Sequence, residues 1–357
     1  MIIHIYTFFI ISILTLIGKK NKYMIILFLL LLVILDSIRD GSYYDYYSYK
    51  EHYYNRIGEK IFEIGYNFFV EVWRSLNSYN MMLFGIASLM YYNIFYKVYK
   101  LFEYESLIIF ITFTQIIPYI GVNRQILSMI IFSIGINNYL IKDKLIGYIG
   151  CIGIATLFHI SSLIGAPIGI IYYFKKKYII KKLYKILLFG ILLSNLFIVI
   201  GNDEIIRKII SIIGIDFLNK YVVYFYNNSN YNLNLFLYII RNIQLILPLL
   251  FLKFNKKNEK NKKYEELLAL FFIGVLFYYI IYFVFYGKFQ ILIGRMSLTL
   301  LGLFLPGYYV CTYKLLDKKR NKLIFKIVLM AILGTIFLKN ILLSEETSQY
   351  IYRTIFN

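Results

Sequence analysis

Residues 145–174 read LIGYIGCIGIATLFHISSLIGAPIGIIYYF, one apolar run with lysines directly before it, within 142–144, and directly after it, at 175–177. Because positive residues are retained on the cytoplasmic side of a membrane, we expect both ends of this run in the cytoplasm. The chain must then turn back at the polar interruption from Leu157 to Ser162, which puts His159 near the outer face or at the tip of a re-entrant pair. The alternative is one long tilted helix, which would invert everything downstream and move positive charge outside.

The composition of the chain excludes a soluble protein. Of its 357 residues, 60% are hydrophobic and 16% are charged, with a mean hydropathy of +0.66, and a soluble surface cannot be built from that. The net charge of +20 could suggest nucleic acid, but Lys and Arg cluster in short segments between apolar runs rather than along one face. We therefore predict an all-α, polytopic helical bundle, a single integral membrane domain over residues 1–357, with the lipid bilayer and no nucleic acid as its partner.

Apolar runs of about 15 to 22 residues, each suited to a hydrocarbon core about 30 Å thick, predict about twelve transmembrane helices. When these spans alternate across the membrane, most of the 39 Lys and Arg residues fall in the cytoplasmic connections, as expected. The predicted spans lie near residues 2–18, 24–38, 81–96, 106–120, 123–141, 145–158, 160–174, 183–201, 233–252, 266–286, 292–313 and 323–343.

Two longer connections, residues 39–80 and 202–232, fall on the outer side. Both are rich in polar and aromatic residues, and the apolar spacing within residues 59–77 predicts a helix that lies along the membrane interface. The tyrosines of residues 43–54 carry less information, because Ile, Tyr, Asn and Lys dominate the whole chain.

Polar and ionisable side chains near the outer ends of the spans are candidate functional residues, since such groups are costly at a membrane. Arg241 lies deepest, about 8 residues inside its span and so about 12 Å below the outer face. Several arginines around one outer cavity would suit a diphosphate, because each guanidinium donates paired hydrogen bonds and stays charged. The candidates are Arg39, Asp45, Glu63, Arg124, Gln125, His159, Arg241 and Arg295.

Each kind of candidate also has a plain structural interpretation. An arginine near the interface can extend its charge toward the lipid headgroups, an acidic residue in an outer loop is usually solvated, and a lone histidine at a helix break can be a hydrogen-bonded hinge residue. Cys151 and Cys311 lie far apart inside apolar runs, which indicates neither a disulfide framework nor a zinc site. The sequence has no metal-ligand spacing, phosphate-binding glycine loop or nucleophile elbow, so we expect no metal or cofactor.

Four short motifs are spread over most of the chain. They are Asn123-Arg124-Gln125, followed after one helical hairpin by Phe158-His159-Ile160-Ser161-Ser162; Arg39 with Gly41 and Asp45-Tyr46; Glu63-Ile64-Gly65-Tyr66; and Gly294-Arg295-Met296. Together they resemble the EpsG family of Wzy-like polysaccharide polymerases. Two details depart from that family's pattern, because Gly41 is displaced from Asp45 and Ile64 stands where a proline is common.

The resemblance implies transfer of a growing glycan from its polyprenyl diphosphate onto a sugar hydroxyl of another lipid-linked repeat unit, at the outer face of the bacterial cytoplasmic membrane. It implies a metal-independent glycosyltransferase without a cofactor or nucleotide sugar, an architecture similar to GT-C glycosyltransferases with an outer-face cavity, and a chain-length regulator as a further partner. Under it, the catalytic residues are His159, Arg124 and Asp45, and the substrate-binding residues are Arg39, Glu63, Gln125, Arg241 and Arg295.

Two other classes of function stay open at this point. A lipid-linked oligosaccharide flippase or another transporter also needs a basic cavity, but it should present charge to both faces and commonly has an internal repeat, whereas the charge here is biased outward. The other alternative is a membrane acyltransferase, or an unrelated GT-C enzyme, that modifies the same glycan.

Overall fold

The structure is a computed structural model, and it describes residues 2–17, 22–40, 45–57, 62–96, 101–102, 106–116, 122–200, 235–253, 262–284, 290–346 and 353–354. The predicted outer connection at 202–232 lies outside these residues. The backbones of Arg39, Arg241 and Arg295 are described, whereas their side chains are not.

The described residues are almost entirely helical, which confirms the all-α class. They form α1 (Ile2–Ile17), α2 (Lys22–Ser37), α3 (Tyr46–Asn55), α4 (Ile64–Arg74), α5 (Tyr79–Met90), α6 (Leu107–Ile116), α7 (Asn123–Asn138), α8 (Leu145–Thr156), α9 (Gly165–Ile200), α10 (Leu235–Lys253), α11 (Lys262–Val284), α12 (Gln290–Leu315) and α13 (Lys319–Glu346). A π-helical turn, Tyr91–Tyr96, continues α5, and 3-10 turns occupy Leu140–Lys142 and Ile160–Ile164. Two-residue strands, β1 (Arg39–Asp40) and β2 (Arg353–Thr354), pair antiparallel, with Arg39 opposite Thr354.

Each of the twelve predicted apolar segments lies mainly in helix over the residues that the structure describes. By length and composition, three stretches of the described residues suffice to cross a bilayer, namely Asn123–Lys142, Lys262–Ile281 and Lys319–Leu338. Four shorter apolar helices cover Ile5–Ile17, Ile26–Ser37, Leu145–Thr156 and Asn242–Lys253. A helical membrane protein follows from these elements, while the number of crossings and the likeness to GT-C enzymes stay predictions.

The run at 145–174 turns back on itself, as its flanking lysines predict. The helix α8 ends at Thr156, and α9 begins at Gly165 after the 3-10 turn. The Tyr148 hydroxyl donates to the Gly165 carbonyl at 2.7 Å, and the Tyr148 ring lies against Gly169, so α8 and α9 are antiparallel neighbours. The ammonium of Lys176 contacts Asp143 at 2.6 Å, which joins the basic segments at the two ends of the run.

The next connection differs from the prediction, because residues 175–182 continue α9 instead of forming a loop. Lysine, tyrosine and isoleucine, the residue types of this segment, are all compatible with a helix, and neither glycine nor proline occurs between Gly169 and Gly190. Lys182 has the only non-helical dihedrals reported inside α9, at φ −123° and ψ 19°. A kink at Lys182 thus separates the two predicted spans within one helical element.

The core of the bundle is packed through small residues set against aromatic rings. A side chain at Gly274 would meet the ring of Phe304, and one at Gly307 would meet the ring of Phe271, so α11 and α12 interlock reciprocally. Close approach of this kind is typical of membrane helices, where packing rather than exclusion of water holds the helices together. Elsewhere in the bundle, Phe337 of α13 stacks on Phe8 of α1 with ring centroids 5.2 Å apart.

The connection at 39–80, which is predicted to be outer, contains two short helices among its described residues, and the helix predicted within 59–77 corresponds to α4. Its buried face carries Tyr66 and Val70, whereas Ile64, Phe68 and Val72 form an exposed apolar stripe with a spacing of four residues. Such a stripe suits a helix that lies against the lipid interface. The helix α4 also packs on α5, because a side chain at Gly85 would meet the ring of Trp73.

Candidate active site

The first turn of α7 forms an ion pair with the segment that precedes α4. A terminal nitrogen of Arg124, Nη1, lies 2.5 Å from Oε2 of Glu63, and Arg124 is 8% exposed. The Glu63 side chain is 25% exposed, so the pair sits at the edge of the protein interior. This ion pair thus joins the Asn123-Arg124-Gln125 motif to the Glu63-Ile64-Gly65-Tyr66 motif, although more than sixty positions separate Arg124 from Glu63 in the sequence.

Aromatic rings surround the Arg124 guanidinium. Its Nε donates to the Tyr49 hydroxyl at 3.3 Å, and its carbon Cζ lies 4.8 Å from the centroid of the Phe62 ring and 5.8 Å from that of Tyr49. The cation–π contacts attract the guanidinium, and the low-dielectric surrounding strengthens its other electrostatic interactions. Asp45 is the residue before α3, one helical turn from Tyr49, and its carbonyl accepts from the Tyr49 amide at 3.0 Å.

A backbone hydrogen bond joins the glutamate motif to the histidine motif. The Gly65 amide donates to the Leu157 carbonyl at 2.9 Å. A Cβ at Gly65 would lie 2.8 Å from that oxygen and 3.0 Å from the ring of Phe158, so only glycine fits there without displacement. This contact places the beginning of α4 beside the turn that carries His159.

His159 is linked to α7 and α12 through a chain of buried polar groups. Its Nδ1 lies 2.8 Å from Ser161 Oγ, which lies 3.3 Å from Thr299 Oγ1. Gln125 Nε2 donates to the same Thr299 oxygen at 2.9 Å. All four side chains are buried. A second contact, between the hydroxyls of Ser128 and Ser162, also fixes the turn to α7.

The structure thus brings Arg124, Gln125, Glu63 and His159 together, with α3 and its leading Asp45 alongside. Arg295 lies on α12 one turn before Thr299, so its backbone is close to the same cluster. Arg241 lies on α10, and Arg39 lies in β1; where their side chains point is not described.

The cluster lies at the end of α7 and α8 opposite the basic segment 142–144. Arg124 is in the first turn of α7, and Leu157 directly follows α8, whereas Lys142 and Lys144 lie between the other ends of these two helices. No group of three His, Cys, Asp or Glu side chains that could hold a metal ion occurs in the part of the chain that the structure describes.

Sequence reasoning missed three residues of this cluster. The hydroxyl of Tyr49 accepts from Arg124, that of Tyr79 accepts from the Asn123 amide at 3.2 Å, and Thr299 connects Gln125 with Ser161. Tyr66 packs beside Tyr49 and His52. Burial first, and then the neighbouring hydroxyls of Tyr79 and Tyr49, raise the pKa of Tyr66 well above its usual value, so that hydroxyl stays protonated and is no candidate base.

The sequence model described as "EpsG family" matches residues 21–353. The chain belongs to the EpsG family. No curated protein and no solved structure gives a significant match. EpsG-like proteins are Wzy-type polymerases, so the family suggests a polysaccharide polymerase of the membrane with a glycosyltransferase-like activity. In this EpsG-family chain, the structure brings Glu63, Arg124 and His159 together beside the helix that carries Arg295.

Proposed function

We propose that this protein joins polyprenyl-diphosphate-linked oligosaccharide repeat units at the outer face of the bacterial cytoplasmic membrane. The donor is a glycan on an undecaprenyl diphosphate, and the acceptor is a sugar hydroxyl of another lipid-linked unit. The outer location is supported by the position of the cluster at the helix ends opposite the lysines at 142–144, since lysines favour the cytoplasm.

The observation that carries this proposal is the partly buried Arg124–Glu63 pair, with the His159 turn held beside it through Gly65. A guanidinium at the rim of a low-dielectric site is suited to donating two parallel hydrogen bonds to phosphate oxygens. For a unit charge about 4 Å away at an effective dielectric of about 20, the attraction is about 4 kcal/mol. A diphosphate carries more than one negative charge, so it can compete with the single charge of Glu63 for Arg124.

The reaction needs charge stabilisation and the removal of one proton. The acceptor oxygen forms a bond to the anomeric carbon of the donor sugar, the bond from that carbon to the diphosphate oxygen breaks, and its electron pair leaves with the diphosphate. Arg124, with Arg241 and Arg295, stabilises the negative charge that develops on the leaving group. Asp45 is our candidate for the base that takes the hydroxyl proton.

The remaining candidates bind or position the substrate. Glu63 orients Arg124, and Gln125 fixes α7 against α12. We assign Arg39 to substrate binding because of its sequence motif. A chain-length regulator remains a proposed partner, and a GT-C-like arrangement of one integral membrane domain remains the proposed architecture. The glycan chemistry itself requires no metal in this scheme.

A deletion strain tests this function through its glycans. Loss of the gene is expected to leave single repeat units on the lipid carrier at the outer face, and the intact gene should restore the ladder of longer glycans. Complementation with Arg124→Ala should leave single units despite normal membrane insertion, while Arg56→Ala, which removes an exposed arginine (its side chain 60% exposed), should restore the ladder. Absence of exported units would indicate a flippase, and a full-length unmodified polymer would indicate an acyltransferase.

A further inference from the structure

The ring of His159 is held in one orientation by its own turn. The Ser161 amide donates to His159 Nδ1 at 3.2 Å, and the Ser161 hydroxyl lies 2.8 Å from the same nitrogen. A backbone N–H can only donate. Nδ1 is therefore an acceptor, and the proton of the neutral ring lies on Nε2.

The hydrogen bonds of Ser161 and Thr299 are consistent with this tautomer of His159. Because Nδ1 is an acceptor, the Ser161 hydroxyl donates its hydrogen to it. Ser161 Oγ is then the acceptor in its 3.3 Å contact with Thr299 Oγ1, and Thr299 Oγ1 also accepts from Gln125 Nε2 at 2.9 Å. Each donor along this path meets an acceptor, so the chain from Gln125 to His159 has a single consistent polarity.

We propose that Thr299, Ser161 and Gln125 are positioning residues that hold His159 as an Nε2–H donor, and that His159 donates to the diphosphate of the lipid-linked substrate. This inference rests on the proposed function. A ring with its proton on Nε2 has no lone pair at that nitrogen, so it cannot remove the acceptor proton there. An anionic phosphate oxygen is the strongest partner for such a donor. The proton of the acceptor hydroxyl then leaves to a carboxylate, for which Asp45 is the candidate.

The tautomer can be measured without any polymerase assay. The chain has three histidines, so ¹⁵N NMR of the full-length protein, labelled at histidine and held in lipid nanodiscs, gives few signals, and the spectrum of His159→Gln identifies those of His159. We expect a protonated Nε2 and an unprotonated Nδ1 in the neutral ring. A proton on Nδ1 would overturn the proposal, whatever the activity of the protein.

Two substitutions at His159 separate a donor from a base. Glutamine can bring an amide N–H near the position of Nε2 but has no basicity. We therefore expect His159→Gln to keep polymerisation within about tenfold of the native rate and His159→Ala to lose about 100-fold or more, the range given for a lost catalytic donor. Equal, large losses in both well-inserted variants would contradict the donor role, since a base is lost in both.

Thr299 is tested by removal and restoration of its hydroxyl. Thr299→Val keeps the shape of the side chain but breaks the path, and we expect turnover to fall about tenfold, as for one lost hydrogen bond. Thr299→Ser should restore it. The control is Thr312→Val on the same helix, where the buried hydroxyl only bonds the Tyr308 carbonyl of its own helix. Native turnover in Thr299→Val, or a loss that Thr299→Ser does not repair, would overturn the positioning role.

Discussion

Gly65 donates its amide hydrogen to the carbonyl of Leu157 at 2.9 Å. These residues lie at the beginning of α4 and in the turn after α8, so one backbone bond fixes Glu63 and His159 relative to each other. The contact is close because neither residue inserts a side chain between the two segments.

Gly65→Ala should therefore separate the two motifs. The new Cβ would lie 2.8 Å from the Leu157 oxygen, a distance that backbone atoms can relieve only by moving apart. We expect the rate of polymer formation to fall at least about tenfold, because a displacement of about 1 Å at a catalytic site can cost 100-fold. The measurement is the glycan ladder of the complemented strain, with Gly150→Ala and Gly153→Ala as controls, since a Cβ at either meets nothing within 4 Å. A native ladder in Gly65→Ala would show that the contact does not position the site.

The planar, paired hydrogen-bond geometry of the Arg124 guanidinium should matter for substrate binding as well as its charge. We expect Arg124→Ala to weaken binding of undecaprenyl diphosphate about 10- to 100-fold, as for a lost charged hydrogen bond of about 1.5–3 kcal/mol. Arg124→Lys should recover part of this, because lysine keeps the charge but not the paired geometry. Native mass spectrometry with undecaprenyl diphosphate and undecaprenyl monophosphate measures both variants. Arg56→Ala is the control, and binding equal to the native protein in Arg124→Ala would remove this residue from the site.

Glu63→Gln should raise the affinity for undecaprenyl diphosphate while lowering the rate of polymer formation. Glutamine retains a hydrogen-bond acceptor near Arg124 but removes a negative charge that repels the diphosphate. We expect undecaprenyl diphosphate to bind about 3- to 10-fold tighter, while polymer formation slows because Arg124 loses its charged partner. The matched control is Glu71→Gln, which removes a carboxylate from an exposed pair with Arg74 and Arg56. Weaker binding in Glu63→Gln would mean that Glu63 contacts the substrate directly.

The orientation of the hairpin can be measured by cysteine labelling. In a variant without Cys151 and Cys311, we expect Lys144→Cys and Lys175→Cys to react with an impermeant maleimide from the cytoplasmic side only. Ser75→Cys, in the exposed end of the outer connection, should react from the outside only. Labelling of Lys144→Cys and Lys175→Cys from opposite sides would contradict the hairpin.

Much of the fold could be predicted, because membrane insertion leaves strong signals in a sequence. The lysines at 142–144 and 175–177 indicated that the run between them turns back, and the contacts of Tyr148 with Gly165 and of Lys176 with Asp143 confirm it. The continuation of α9 to Lys182 was not predicted. Lysines mark the side of the membrane, but they do not end a helix, so charge alone could not separate a loop from an extended helix.

The cluster itself was predictable only in part. Arg124, Glu63 and His159 could be expected together through the family resemblance, whereas Tyr49 was hidden among many tyrosines of a biased composition. Thr299 carried no signal of its own, because a threonine in an apolar helix is ordinary. Its position one turn after Arg295 was the one available indication, and its meaning depends on contacts across three helices that spacing along one helix cannot give.

The antiparallel pair of Arg39–Asp40 with Arg353–Thr354 constrains the whole path of the chain. Paired strands must share one compartment, so the polypeptide between Asp40 and Arg353 passes through the bilayer an even number of times. The ten spans predicted after Asp40 satisfy this parity, and any recount that adds or deletes a single passage would require the pair to come apart.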